Sequence, residues 1–156
     1  TLDLPEIEVQ ENPRPVVTRP IAANTMVART DQRTDAELAA QIAQAVSGSY
    51  ILQIAASLQG TPYSYAGTSP STGFDCSGFV SYVYGQAGIS LPHSSAAIRS
   101  VGTQVSAADA QPGDILYWPG HVGIYAGGNT MIDSSHYGTV VGFRNIWRAP
   151  VFIRIG

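Results

Sequence analysis

Apolar residues recur at two spacings along this chain, and the change from one to the other divides it. After Thr34-Asp35-Ala36-Glu37, a capping-box pattern, Leu38, Ile42, Ala45 and Val46 fall at helical spacing. Gly48-Ser49 breaks that helix in this reading. Ile51, Ile54, Ala55 and Leu58 then mark a second one over Tyr50 to Leu58, with Gly60 just past its end. The stretch from Gly60 to Gly73 mixes glycine and proline with serine and threonine and reads as loop. An apolar run (Phe79, Val80, Tyr82, Val83, Tyr84) predicts a helix from Cys76 to about Gln86 or Ala87, stopped by Gly88. A short helix follows from about Ser95 to Val101, with Ser94 or Ser95 as N-cap.

Beyond that helix the spacing becomes two. Strands are expected at 114–118, 121–125, 130–134, 140–143 and 151–155, with Pro119-Gly120 and Ala126-Gly127-Gly128-Asn129 as turns. Helices first and an antiparallel meander afterwards predict an α+β fold, with N-terminal helices packed on a C-terminal antiparallel sheet of about five strands.

Residues 1–33 stand apart. Pro5, Pro13, Pro15 and Pro20 interrupt any helix, and the alternation of Leu2, Leu4, Ile7 and Val9 is weak. Up to Glu37 the chain carries seven acidic and four basic residues, and from Leu38 onward four of each, so this end holds the whole net charge of −3. The organisation read here is an extension over 1–33 and one domain over 34–156. The extension is either a solvated leader or a strap along the domain, over its cleft and anchored by Val16-Val17 and Ile21. In the second case it is the domain's own partner.

The chain has 156 residues, enough for one hydrophobic core, and only 12% are charged. With no basic run, nucleic acid is not an expected partner. No apolar stretch approaches the roughly 18 residues of a membrane span. No signal-peptide pattern is visible, and a chain opening at Thr1 reads as a processed or truncated product. A single cysteine rules out an internal disulfide and any multi-cysteine zinc site.

That cysteine carries the chemistry. A loop feeding a helix places Cys76 at or near the helix N-terminus, where free N–H groups and the positive end of the helix dipole stabilise an anionic sulfur. Cys76 is therefore read as a nucleophile, which needs a base, and the base needs an orienting partner. Three histidines are available. His121 leads because it opens a strand after a tight turn; His93 and His136 lie in loops. Asp133 lies on the strand after His121. With the hairpin turn at Gly127-Gly128, Asp133 or a diagonal neighbour comes within reach of the imidazole, or else is an exposed strand residue. Asp75 precedes the helix and is read as its cap or as an acceptor for loop amides. His136 reads as a surface residue, Trp118 and Trp147 as packing, and Arg144, Arg148 and Arg154 as solvated.

Several blocks together resemble one family: Gly60-Thr61-Pro62-Tyr63-Ser64-Tyr65-Ala66-Gly67, Phe74-Asp75-Cys76-Ser77-Gly78-Phe79-Val80, Leu91-Pro92-His93-Ser94-Ser95, Gln111-Pro112-Gly113-Asp114 and Gly120-His121-Val122-Gly123-Ile124-Tyr125. In this order and spacing they are similar to the NlpC/P60 cell-wall cysteine peptidases, and to their actinobacterial Rip-type peptidoglycan endopeptidases, over about residues 50–156. The resemblance implies a papain-like fold, with Cys76 as nucleophile, His121 as base and Asp133 in the third position, where relatives commonly carry His, Glu, Gln or Asn. It also implies a tyrosine at the oxyanion site, with Tyr63 the better match and Tyr65 the alternative. Ser77 is either part of the S2 side of the cleft or a plain first-turn residue, and His93 and Ser94 either line the cleft or build the loop.

The implied activity is that of a secreted or wall-associated D,L-endopeptidase. It hydrolyses the peptidoglycan stem peptide between D-glutamate and diaminopimelate or lysine through a cysteine thioester, as a monomer with no metal or organic cofactor. A non-catalytic wall-binding module of the same fold and a cysteine acyltransferase are the alternatives.

Overall fold

The computed structural model describes residues 34–156, apart from the side chains of 41–46; the proposed strap over 1–33 lies outside the described residues. The chain divides between Ile42 and Ala43. Of the first unit only the opening of the first helix is described. There Thr34 Oγ1 accepts from Glu37 N at 3.1 Å, as the capping box requires, and Leu38 is 47% exposed.

Helix α1 runs unbroken from Asp35 to Ser57. The expected break at Gly48-Ser49 does not occur, for a steric reason. A Cβ at Gly48 would lie 2.0 Å from the Pro112 carbonyl oxygen, so the glycine permits close approach of α1 to the 111–113 turn. Gly48→Ala is expected to destabilise the domain by about 1–3 kcal/mol, read as a lower midpoint in denaturant. An unchanged midpoint would mean that the turn moves aside freely.

A two-stranded ribbon, β1 (Thr68–Ser69) and β2 (Gly73–Phe74), leads into α2 (Cys76–Gln86) and α3 (Ser95–Val101). The main sheet holds β3 (Thr103–Val105), β4 (Ile115–Trp118), β5 (His121–Gly127), β6 (Thr130–Asp133), β7 (Gly142–Asn145) and β8 (Val151–Arg154). Its spatial order is β3-β8-β4-β5-β6-β7, and every pairing is antiparallel. The α+β reading therefore stands, with six strands in the sheet instead of about five. Strand β3 is the addition: three residues with two exposed carry no periodic signal, and they pair only with the distant β8.

The expected strand at 140–143 is displaced to Gly142–Asn145. Val140 and Val141 pair elsewhere. Pro62 bridges Val140, Gly60 N donates to Val141 O at 2.9 Å, and Val141 N donates to Thr61 O at 2.8 Å. This clasp ties the loop of Tyr63 to the sheet.

One face of the sheet buries Ile115, Val122, Ile124, Ile132 and Ile153 with Phe79, Val80, Val83 and Tyr84 of α2 and Ile51 and Ala55 of α1. A smaller cluster centres on Leu116, Trp118 and Met131. Arg154 is not solvated as expected. Its Nε and Nη2 donate to the two oxygens of buried Asp114 at 3.0 and 2.8 Å, which locks β8 to the start of β4. Tyr84 braces the same corner by donating to Gly113 O.

Candidate active site

The site begins at the N-terminus of α2. Asp75 is the N-cap in extended conformation, and its Oδ1 accepts from Gly78 N at 2.7 Å. Gly78 is glycine because α2 abuts the preceding loop: a Cβ there would lie 2.0 Å from Gly67 O. The cap fixes Cys76 as the first helical residue, half-buried, with Sγ 3.9 Å from Gly120 O.

The sheet supplies His121. Trp118 pairs with His121 across the two-residue turn Pro119-Gly120, in which Gly120 takes φ 85°. The pairing of β5 with β6 slips by one residue between Tyr125 and Gly127, and Ile124 lies opposite Ile132. Continued along the strands, that register sets Asp133 opposite Gly123, diagonal to His121. Gly123 keeps the diagonal open, since a Cβ there would lie 3.2 Å from Asp133 Cβ. His121 Nε2 and Asp133 Oδ2 are 2.8 Å apart. Asp133 is fully buried, and the His121 side chain is 15% exposed.

Burial alone lowers the pKa of His121. The hydrogen bonds to Asp133 and to Cys76, with the negative charge of both partners, outweigh it and raise the pKa from 6.5 to about 9. With Nε2 committed to Asp133, Nδ1 remains for the sulfur. The arrangement therefore favours an imidazolium facing Cys76.

The sign of the linkage follows. A raised folded pKa contributes stability that is complete below about pH 6.5 and is lost as pH rises through about 9. Thermal stability should fall over that window, and His121→Gln should flatten the slope. A wild-type profile as flat as the variant's would show that His121 is not held protonated.

Tyr63 lies within electrostatic reach of Cys76. Its phenol pKa is raised, first by burial and then by the negative charge of Cys76 and Asp75, which keeps it a neutral donor. Its ring packs edge-on to Tyr137 at 5.1 Å. Tyr65 is 76% exposed. His93 Nε2 lies 2.8 and 3.0 Å from the two oxygens of Asp75, so these residues form a second histidine–carboxylate pair just ahead of Cys76. Ser77 is buried in the first turn of α2. Ser94 Oγ accepts from Ala97 N at 3.3 Å and caps α3. His136 is exposed and contacts the Tyr137 carbonyl.

Two contributors, Arg144 and Ser134, carry no signal in the sequence, while Trp118 packs as expected. Arg144 is no solvated residue, because its Nε lies 2.6 Å from Asp133 Oδ1. Trp118 packs against His121 in a tilted arrangement, 5.6 Å between ring centres, and stacks on Trp147 at 4.9 Å. Buried Ser134 donates to Phe74 O at 2.7 Å and so ties the end of β6 to β2, just before Cys76. An alternation that places Asp133 inward gives no hint that Ser134 is buried as well.

The NlpC/P60 family profile matches residues 60–150, which include Cys76, His121 and Asp133. A probable endopeptidase of Mycobacterium tuberculosis is 46% identical over 94 residues, 58% of this chain and 24% of that protein. The p60 probable endopeptidase of Listeria seeligeri is 46% identical over 84 residues, 51% of this chain and 16% of that protein. The chain thus spans about a quarter or less of the curated relatives it matches. Among solved structures, the NlpC/p60 domain of the peptidoglycan hydrolase SagA superposes with a TM-score of 0.63 at 40% identity, covering 68% of this chain and 96% of that one. The peptidoglycan hydrolase RipB of Mycobacterium tuberculosis gives a TM-score of 0.64 at 30% identity, covering 80% and 69%. The sequence match falls on the same loop, helix and hairpin that build the site, and the chain belongs to the NlpC/P60 family.

Proposed function

We propose that the domain is a cysteine endopeptidase of the cell wall that hydrolyses the peptidoglycan stem peptide between D-glutamate and diaminopimelate or lysine. The observation that carries the chemistry is the contact of His121 with buried Asp133 at 2.8 Å, on a hairpin that faces the N-terminal cysteine of α2. The substrate class is supported by SagA and RipB, both peptidoglycan hydrolases. Action outside the cytoplasm follows from that substrate.

The proposed reaction is acyl transfer in two halves. The Cys76 sulfur anion attacks the scissile carbonyl, and the C=O electrons move onto oxygen. The Cys76 backbone N–H and the Tyr63 hydroxyl hold that oxyanion; one such donor is typically worth about 10²–10³ in rate. Collapse breaks the C–N bond, and the imidazolium of His121 gives its proton to the leaving amine. Neutral His121 then takes a proton from water, which attacks the thioester and releases Cys76. Asp133 holds the ring in place and supports its positive charge at the start and the end of the cycle.

Incubation with purified muropeptides, followed by mass spectrometry, tests the reading. New amine termini on diaminopimelate or lysine are expected. Retention without cleavage would make the domain a binding module, and acyl groups moved to another amine would make it a transferase.

A further inference from the structure

The buried carboxylate of Asp133 has two cationic neighbours, and the reaction above uses only one. His121 Nε2 takes Oδ2 at 2.8 Å, and Arg144 Nε lies 2.6 Å from Oδ1. Asp133 has no exposed side-chain surface, whereas Arg144 keeps 31% of its own. An ionised carboxylate in such a place is costly unless charge opposes it. Imidazolium His121 supplies that charge, but neutral His121, as in the second half of the cycle, supplies only a hydrogen bond. At that stage Arg144 is the one cation in contact with Asp133 among the described residues.

The sheet register places Arg144 there. Asp133 pairs with Gly142 and Met131 with Arg144, so the guanidinium crosses on the diagonal, past a residue without a side chain. Its Nη2 donates to Val140 O at 2.9 Å, which anchors the far end of the group. The Nε–H does not point along the line to Oδ1, so this contact is one of charge, not a directed hydrogen bond. Asp133 thus faces His121 from β5 and Arg144 from β7. His121 faces Cys76 from α2 and packs, tilted, against Trp118 from β4.

We propose that Arg144 is a positioning residue, which opposes the charge of the Asp133 carboxylate and keeps its Oδ2 aimed at His121 in both protonation states of the imidazole. The proposal rests on reading Cys76, His121 and Asp133 as one catalytic unit. Arg144 also opposes the imidazolium charge, so that His121 can release its proton and later accept one from water. A residue that merely staples β7 to β6 would do neither.

Titration of the three histidines by nitrogen-15 NMR in the intact chain tests this without substrate. Arg144→Met should raise the His121 midpoint by about one pH unit, because a neighbouring positive charge is gone. Arg144→Lys, which keeps the charge, should restore the wild-type midpoint. In turnover of stem peptide, Arg144→Met should lose about ten- to a hundredfold in kcat with KM little changed. A folded Arg144→Met chain with an unmoved His121 midpoint overturns the proposal. So does a lysine variant whose midpoint moves, whether or not the methionine variant folds. A wild-type chain inactive on stem peptides would refute the peptidase reading and leave the NMR result to decide the role of Arg144.

Discussion

Cys76→Ala is expected to abolish stem-peptide hydrolysis, with a loss on the order of 10⁵-fold in kcat, and to leave the fold intact. The two effects separate because of where the sulfur sits. It is half-buried, and its contacts are the hydrogen bond with His121 and a long one, 3.9 Å, to Gly120 O. Alanine keeps the helix position, and the Asp75 cap on Gly78 N does not involve the thiol. The thermal midpoint should therefore move by no more than about 2 °C. Parallel measurement of turnover and of the unfolding midpoint checks both. Residual turnover within about tenfold of wild type would remove Cys76 from the reaction, and a collapsed midpoint would make the activity loss uninformative.

The second large effect belongs to Asp133. Asp133→Asn preserves shape but offers a neutral amide to His121 Nε2, now 2.8 Å from a carboxylate oxygen. A loss of about 10³–10⁴ in kcat is expected, as when a triad carboxylate is replaced and the imidazole is left in the wrong tautomer or orientation. The His121 midpoint should also fall from about 9, since the hydrogen bond and the charge that offset burial are both weakened. Asp133→Ala should cost about 1–3 kcal/mol of stability. That figure stays modest because His121 can lose its proton and Arg144 is 31% exposed and can turn to solvent. Activity should suffer far more than folding. Wild-type kinetics for Asp133→Asn, with an unmoved His121 midpoint, would make Asp133 a bystander.

The parts of this architecture that the sequence discloses are those set by local rules. Asp75 before an apolar run announces the start of α2 and the position of Cys76. Pro119-Gly120 sets the turn before β5, and counting from a turn at Gly127-Gly128 puts residue 134 opposite His121; the actual turn at Gly128-Asn129 and the slip at Ala126 are what bring Asp133 to the diagonal. The hidden parts depend on contacts between distant segments. Gly48 looks like a helix breaker until Pro112 is found against it. Val140 and Val141 have strand composition but pair with the 60–63 loop, which moves β7 by two residues. That shift decides which β7 side chain reaches Asp133, so Arg144 reads as solvated until the register is known. Arg154 is the same case: its partner Asp114 is 40 residues away.

The family match spans Cys76, His121 and Asp133 but says nothing of the surroundings of Asp133. Carboxylate, imidazole and guanidinium are strung along three adjacent strands, each reached from the next by a diagonal. Shifting β6 by one residue relative to β5 would turn Asp133 to the other face of the sheet. Gly123, the slip at Ala126 and the Ser134 clip to Phe74 all keep the carboxylate in register with His121, and hence with Cys76.

The most direct test of the central claim, that Cys76 with His121 and Asp133 hydrolyses a stem-peptide amide, is a muropeptide digest in oxygen-18 water. Wild-type and Cys76→Ala chains are run in parallel, and the products are sequenced by mass spectrometry. The account predicts one new amine terminus on diaminopimelate or lysine and one heavy oxygen in the new D-glutamate carboxylate, with neither formed by Cys76→Ala. Intact muropeptides after incubation with the wild-type chain, or equal cleavage by both chains, would contradict it.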